Sequence, residues 1–246
     1  MESVLAALPV SDRAAAAEAT AADSERHRVL SDLAHELRTP LAGVRNYGEI
    51  LLHCPPEDEA QRRQFLTTIL AETDHMNRVL SDLVELERLR LGGAPATEPI
   101  ELRELVARAT MAHYPLAGRK SVEVTLEEMA PGQVYGNGRQ LTRAAAALVE
   151  NAVKFSYPEG TIRVRLSADD ERFELAIEDH GIGVAEEHRE RIFEPFYRAD
   201  VPPDELSPRG AGLGLALARA IAASHGGAVR YEAREPGSRF VLTIPK

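Results

Sequence analysis

His35 stands in the run LAHELRTPL, residues 33–41, with Glu36, Arg38, Thr39 and Pro40 behind it. Leu33 and Leu37 each lie two positions away, about 200° around a helix axis, so on a helix the imidazole faces away from the apolar stripe. Thr39 follows one turn along on the same side. Glu36 sits roughly 100° around, placed to accept a ring proton or to hold one tautomer. Pro40 removes one intrahelical hydrogen bond and is expected to bend or loosen the helix just past the histidine. The pair offers an exposed nucleophilic ring beside a carboxylate. By itself it also reads as a surface histidine in a charged run.

Four further groups of residues could together hold a small ligand with phosphates and a base. Asn151 and Lys154, three apart in LVENAVKFS, share a helix face: Asn151, with Glu150, brings oxygen for a hard cation, and Lys154 brings positive charge for a phosphate. In DHGIGV, Asp179 is an acceptor for a base amine, and Gly181 and Gly183 permit close approach of a ligand to the backbone. In RGAGLGLALARA, Gly210, Gly212, Leu213 and Gly214 lead into a helix, and backbone N–H groups at such a start suit phosphates. Phe193 and Phe196, in RIFEPFYRAD, precede a Pro- and charge-rich stretch with the texture of a hinged lid. Each group alone has an ordinary reading, as a turn, a solvated face or a surface loop. The glycines do not follow the dinucleotide-binding form, because no βαβ unit surrounds them, and no G-x-x-x-x-G-K-[ST] loop occurs.

These residues need elements to hold them. Leu30, Leu33, Leu37, Leu41, Val44, Gly48 and Leu51 recur at steps of three or four, an amphipathic helix over 24–53. HCPPEDE breaks it. Phe65, Ile69, Met76, Val79, Leu83 and Leu86 form a second stripe, which Gly92, Gly93 and Pro95 end. Two helices and a short loop make an antiparallel hairpin with both stripes unsatisfied. Pairing two copies into a four-helix bundle buries them, so a homodimer through residues 24–91 is expected. Residues 1–23 are Ala-rich with few large apolar groups and read as a frayed helix or the end of an upstream connector.

From residue 96 to 246 strands and helices mix without βαβ alternation, an α+β layer. EPIELRELVARATMAHY reads as a short strand and a helix, SVEVTLE and GQVYG as strands, and GRQLTRAAAALVENAVKFS as a helix. TIRVRLSADDERFELAIED is a hairpin turning at 168–171, LGLALARAIAASHGG a helix, and AVRYEAREPGSRFVLTIPK a last hairpin turning at Pro236 and Gly237.

Composition bounds the rest. The 246 residues are 44% apolar and 28% charged, a folded chain of one large or two modest domains. A net charge of −10 argues against a nucleic-acid binder, while a local basic pocket can still take a small anion. One cysteine, Cys54, excludes an internal disulfide and a Cys-rich zinc site and fits a reducing cytosol. No stretch reaches 18 apolar residues, so the expected location is cytoplasmic, as a free protein or as the cytosolic part of a membrane-bound sensor.

The order HELRTPL, ENAVKFS, DHGIGV, FEPFYR, GAGLGL resembles the sensor histidine kinases of two-component systems over nearly all of residues 24–246. The resemblance implies a dimerisation and histidine-phosphotransfer domain at 24–92. It implies an α/β sandwich of the Bergerat ATP-binding type at 96–246, as in gyrase, mismatch-repair ATPases and heat-shock chaperones. It implies ATP and Mg²⁺ as cofactors, and a response-regulator receiver domain as partner, docking near His35 and Thr39. His35 matches the phosphoacceptor, Glu36 the assisting base, and Thr39 the threonine used in dephosphorylating the partner. Asn151 matches the Mg²⁺ ligand, Lys154 the basic residue near the phosphates, and Asp179 the adenine-reading carboxylate with Gly181 and Gly183. Phe193 and Phe196 match the aromatic box, and Gly210, Gly212, Leu213 and Gly214 the phosphate loop. Two positions depart from the pattern: Ala211 stands where many members carry Thr or Ser, and Ala147 where many carry Asn. Two alternatives stay open beside a histidine autokinase: an ATPase without phosphohistidine, which accounts for the nucleotide motifs but not HELRTPL, and a scaffold that binds receivers without transfer, for which Ala211 and Ala147 leave room.

Overall fold

A computed structural model describes residues 10–92, 97–199 and 210–246, with side chains from residue 27 onward. The chain divides into two compact units, residues 1–78 and 79–246.

The first unit is a helical hairpin. Helix α1 spans Val10–His53 and helix α2 begins at Glu59 and runs to Arg90. The helix starts well before residue 24, in the Ala-rich stretch whose propensity favours it. It passes through Pro40 without interruption, and Pro40 is buried. Tyr47 of α1 stacks at a tilt on Phe65 of α2, with ring centroids 5.0 Å apart. Leu33, Leu37, Val44 and Leu51 are half-buried, as are Phe65, Ile69 and Met76. Leu30 and Leu41, which the periodicity assigned to the same stripe, are exposed. The apolar band on α1 is wider than one facing helix can cover.

The second unit takes in the end of α2, where Val79, Leu86 and Leu89 are buried and Gly92 adopts a left-handed φ of +75° beyond the last turn. Its elements are β1 (Glu98–Glu101), α3 (Leu102–Met111), α4 (Tyr114–Arg119), β2 (Glu123–Met129), β3 (Gln133–Gly136), α5 (Gly138–Phe155), β4 (Thr161–Ala168), β5 (Arg172–Asp179), α6 (Gly214–Ser224), β6 (Ala228–Ala233) and β7 (Ser238–Pro245). Two short 3₁₀ turns, Glu186–His188 and Arg191–Phe193, lie between β5 and α6.

Five strands form a sheet in the order β2-β4-β5-β7-β6, antiparallel except for the β2–β4 pair. β1 and β3 pair separately as a two-stranded antiparallel ribbon. Alternation puts Ile162, Val164 and Leu166 of β4, Leu175 and Ile177 of β5 and Phe240, Leu242 and Ile244 of β7 in the core. Against this face lie the apolar sides of α3, α5 and α6, including Leu105, Leu141, Leu148, Leu217 and Ile221. The opposite face of the sheet carries ion pairs such as Arg163–Glu178 and Arg230–Glu174.

The expected hairpins at 161–179 and 228–245 are present in register. The helix read through to residue 114 is two helices. α3 stops at Met111, and α4 restarts with Pro115 in its first turn, a position where the missing N–H costs nothing.

Candidate functional site

On α1, His35 and Thr39 are exposed and Glu36 is half-buried. The imidazole therefore projects from the helix as its spacing required, one turn before Thr39.

In the second unit the fold gathers the other residues around the C-terminal half of α5. The helix is started by Asn137, whose side chain accepts a hydrogen bond from the Gln140 N–H at 3.1 Å. Its inner face is fully buried, from Leu141 to Val153. That leaves Asn151 and Lys154 half-buried on the rim. The Lys154 Nζ lies 2.7 Å from the Glu150 carboxylate. A Cβ placed on Gly210 would sit 3.1 Å from that same Nζ, so the lysine reaches the glycine-rich turn.

The turn leads straight into α6. Leu213, 2% exposed, anchors the start by packing into the core, and its carbonyl accepts from the Leu217 N–H. Gly214 opens the helix against α5, where Ala147 is its neighbour. Ala211 is buried. Gly212 has φ +73°, and a Cβ there would come within 2.8 Å of the Tyr197 carbonyl oxygen. The Phe196 N–H donates to the Gly212 carbonyl at 3.1 Å, which ties the aromatic segment to the glycine turn. Phe193 is buried edge-on to Phe240, with the Arg219 guanidinium 5.3 Å from its ring centre. The sequence between Ala199 and Gly210, read as a lid, lies outside the described residues.

The third wall is the loop after β5. The Ile182 N–H donates to the Phe155 carbonyl and the Tyr157 N–H to the His180 carbonyl, and Ser156 bridges Gly181. A Cβ on Gly181 would run into the Phe155 carbonyl oxygen, so only glycine fits this joint. Gly183 is half-buried farther along the loop.

Asp179 ends β5, 1% exposed. Burial pushes its carboxyl up to about 7, against the pull of the Ser238 and Gly181 N–H groups, and the charge of Glu178 adds to the rise. Its Oδ1 is buried with no hydrogen-bond partner among the described residues. An orphaned acceptor of this kind is costly unless a ligand donor completes it.

Residues 25–92 match the family described as His Kinase A (phospho-acceptor) domain, and residues 136–246 that described as Histidine kinase-, DNA gyrase B-, and HSP90-like ATPase. The chain is 33% identical over 216 residues to the signal transduction histidine-protein kinase/phosphatase MprB of Mycolicibacterium smegmatis, covering 85% of this chain and 42% of that protein. Among solved structures, the mycobacterial sensor histidine kinase MprB is 33% identical with a TM-score of 0.52, covering 61% of this chain and 97% of that one. This chain belongs to the sensor histidine kinase family.

Full-length ShkA in complex with AMPPNP is similar as well, at 30% identity and a TM-score of 0.63, covering 89% of this chain and 45% of that one. The chain spans about half the length of the curated relatives it matches. Among the described residues no helix is long and apolar enough to cross a membrane. In this kinase core the α5 rim, the glycine turn and the Asp179 loop come together in one unit, and His35 and Thr39 stand in the other.

One buried polar residue beside the end of α5 carried no signal in the sequence. Lys120, in the charged run GRKSVEV, looks like a surface lysine and is 2% exposed.

Proposed function

We propose that this chain is an ATP-dependent histidine autokinase that phosphorylates His35 and passes the phosphoryl group to an Asp of a response-regulator receiver domain. The observation that carries the reading is the buried, unpartnered Oδ1 of Asp179, in the same unit as the Lys154–Gly210 approach. The exocyclic amine of adenine supplies the missing donor. Lys154 and the N–H groups leading into α6 offer the positive end for the phosphates. The kinase/phosphatase relative MprB and the AMPPNP bound to ShkA support the same assignment.

Asn151 is the residue that would hold Mg²⁺. The described residues contain no cluster of three His, Cys, Asp or Glu side chains for a metal. A single amide oxygen fits an ion that keeps several waters and shares phosphate oxygens. When bound, Mg²⁺ neutralises charge on the transferring group. Transfer forms a bond between one imidazole nitrogen of His35 and the γ-phosphorus, and the bond to the bridging oxygen of ADP breaks. Glu36 takes the proton from the other ring nitrogen, directly or through water. The phosphoramidate then yields its phosphoryl group to the receiver carboxylate.

Residues 24–92 form the dimerisation and phosphotransfer domain and residues 96–246 the catalytic domain in this reading. The exposed Leu30 and Leu41 of α1 and Leu66 and Leu70 of α2 are what a second copy covers in a four-helix bundle. Incubation with γ-labelled ATP and Mg²⁺ is expected to give an acid-labile, alkali-stable label on the chain. An acid-stable label, or ATP hydrolysis with none, overturns the assignment.

Thr39 lies one turn beyond the phosphoacceptor on the exposed side, where a hydroxyl can orient a water against a phosphorylated receiver. Thr39→Ala is expected to leave autophosphorylation within about twofold and to slow dephosphorylation of the receiver by roughly tenfold or more. Equal losses in the two assays would argue against a separate phosphatase role.

A further inference from the structure

Lys120 is among the largest fully buried side chains of the second unit, and the mechanism above makes no use of it. It caps the end of α4, and its Nζ donates to the Lys154 carbonyl at 2.7 Å. That carbonyl is in the last turn of α5, where the helix leaves its acceptors unmatched and a basic side chain is favoured. The neighbouring backbone is fastened at the same place. Ser121, in the left-handed region at φ 56°, accepts at its carbonyl from the Glu159 N–H at 3.1 Å, and the Glu123 N–H donates to the Gly160 carbonyl at 2.9 Å. The turn at 117–122 is thereby pinned to the stretch just after α5.

That stretch is also the joint between two walls of the site. Within two residues of the Lys154 carbonyl come the Phe155 carbonyl, which accepts from Ile182, and Ser156, which bridges Gly181. The close approach of Gly181 to Phe155 leaves this joint no slack. A shift of the last turn of α5 would move the Lys154 backbone and the Asp179–Gly183 loop together.

We infer that Lys120 is a positioning residue for the nucleotide site: by holding the Lys154 carbonyl it fixes the end of α5 that carries Lys154 and abuts the Asp179 loop. The inference rests on the nucleotide reading of that site. Lys120 touches no substrate and acts through Lys154 and the α5–loop joint.

Lys120→Met keeps the length and removes the donor. Two measurements on the full chain test it. Amide hydrogen exchange is expected to quicken by roughly tenfold at Ser156, Tyr157 and Ile182, with the core amides of β5 and β7 unchanged. ADP affinity, measured by titration calorimetry, is expected to fall by about tenfold, the usual size for a lost hydrogen bond to a charged donor. Lys120→Met combined with Lys154→Ala is expected to lose less than the product of the single losses, because both act on one contact with the phosphates.

Unchanged exchange at the joint, unchanged ADP affinity, or fully multiplicative losses would each overturn the inference. If Lys120→Met does not fold, Lys120→Gln takes its place, and failure of both variants to fold would make Lys120 a residue of the fold alone and overturn the role. Wild-type protein that binds no ADP overturns the nucleotide reading itself, and that result is seen before any variant is made.

Discussion

Asp179→Asn is expected to make the protein more stable and a poorer binder of adenine nucleotides. The two effects have one cause. The carboxyl is 1% exposed, and burial carries it from an ordinary 3.8 to about 7. Between those values the folded chain holds a proton that the unfolded chain has released. Stability therefore falls as pH rises from about 4 to 7 and levels off above that, where the buried group is ionised. A displacement of this size corresponds to about 4 kcal/mol against the ionised form. Asn has the same shape and no charge, so the variant lacks this cost. At pH 8 a gain of about 2–4 kcal/mol is expected, a rise in the unfolding midpoint of roughly 5–10 °C for a chain of this length. The gap between the two proteins should close as pH falls towards 4. ADP affinity should drop by about tenfold to a hundredfold, because the acceptor proposed for the adenine amine is no longer charged. Wild-type affinity should rise with pH through about 7 as the carboxyl ionises. Thermal unfolding with and without ADP at several pH values checks all of this. A variant no more stable at pH 8, or with undiminished ADP affinity, would contradict the role given to Asp179.

That result depends on a feature invisible in the sequence. DHGIGV announces a turn and an acidic residue, but the burial of Asp179 and its unpartnered Oδ1 arise where β5 pairs with Ser238 of β7, a contact the local sequence does not carry. What could be read in advance was local. Alternation in TIRVRLS and FELAIED specified two strands and their faces, and a period-2 pattern leaves little freedom once one face is buried. The spacing of His35 between Leu33 and Leu37 specified exposure, and the ring is exposed. The positions that differed depend on partners distant in the chain. Leu30 and Leu41 fall on the periodic stripe, yet a single facing helix covers only part of its width. Lys120 follows Gly118 and Arg119 in a polar run, and its burial follows from the Lys154 carbonyl, 34 residues away. β3 reads like any short strand, and its pairing with β1 rather than the main sheet is set by a contact across the whole of α3, α4 and β2.

His35→Gln is expected to abolish labelling from γ-labelled ATP altogether. Glutamine keeps the polar, exposed character of the position, so the helix has no reason to change, but it has no basic nitrogen to form the phosphoramidate. ADP affinity should stay at the wild-type value, because the residues proposed to hold adenine and phosphates belong to the other compact unit. Glu36→Gln asks a finer question of the same turn. The amide cannot take the ring proton, and loss of a general base slows transfer by about a hundredfold or more, while His35 remains to be labelled slowly. Paired measurements of label and ADP affinity separate this from a binding defect. Label that persists in His35→Gln would place the phosphoacceptor elsewhere and leave the exposed imidazole without a task. Equal rates in Glu36→Gln and wild type would leave His35 as the nucleophile and remove Glu36 from the proton transfer.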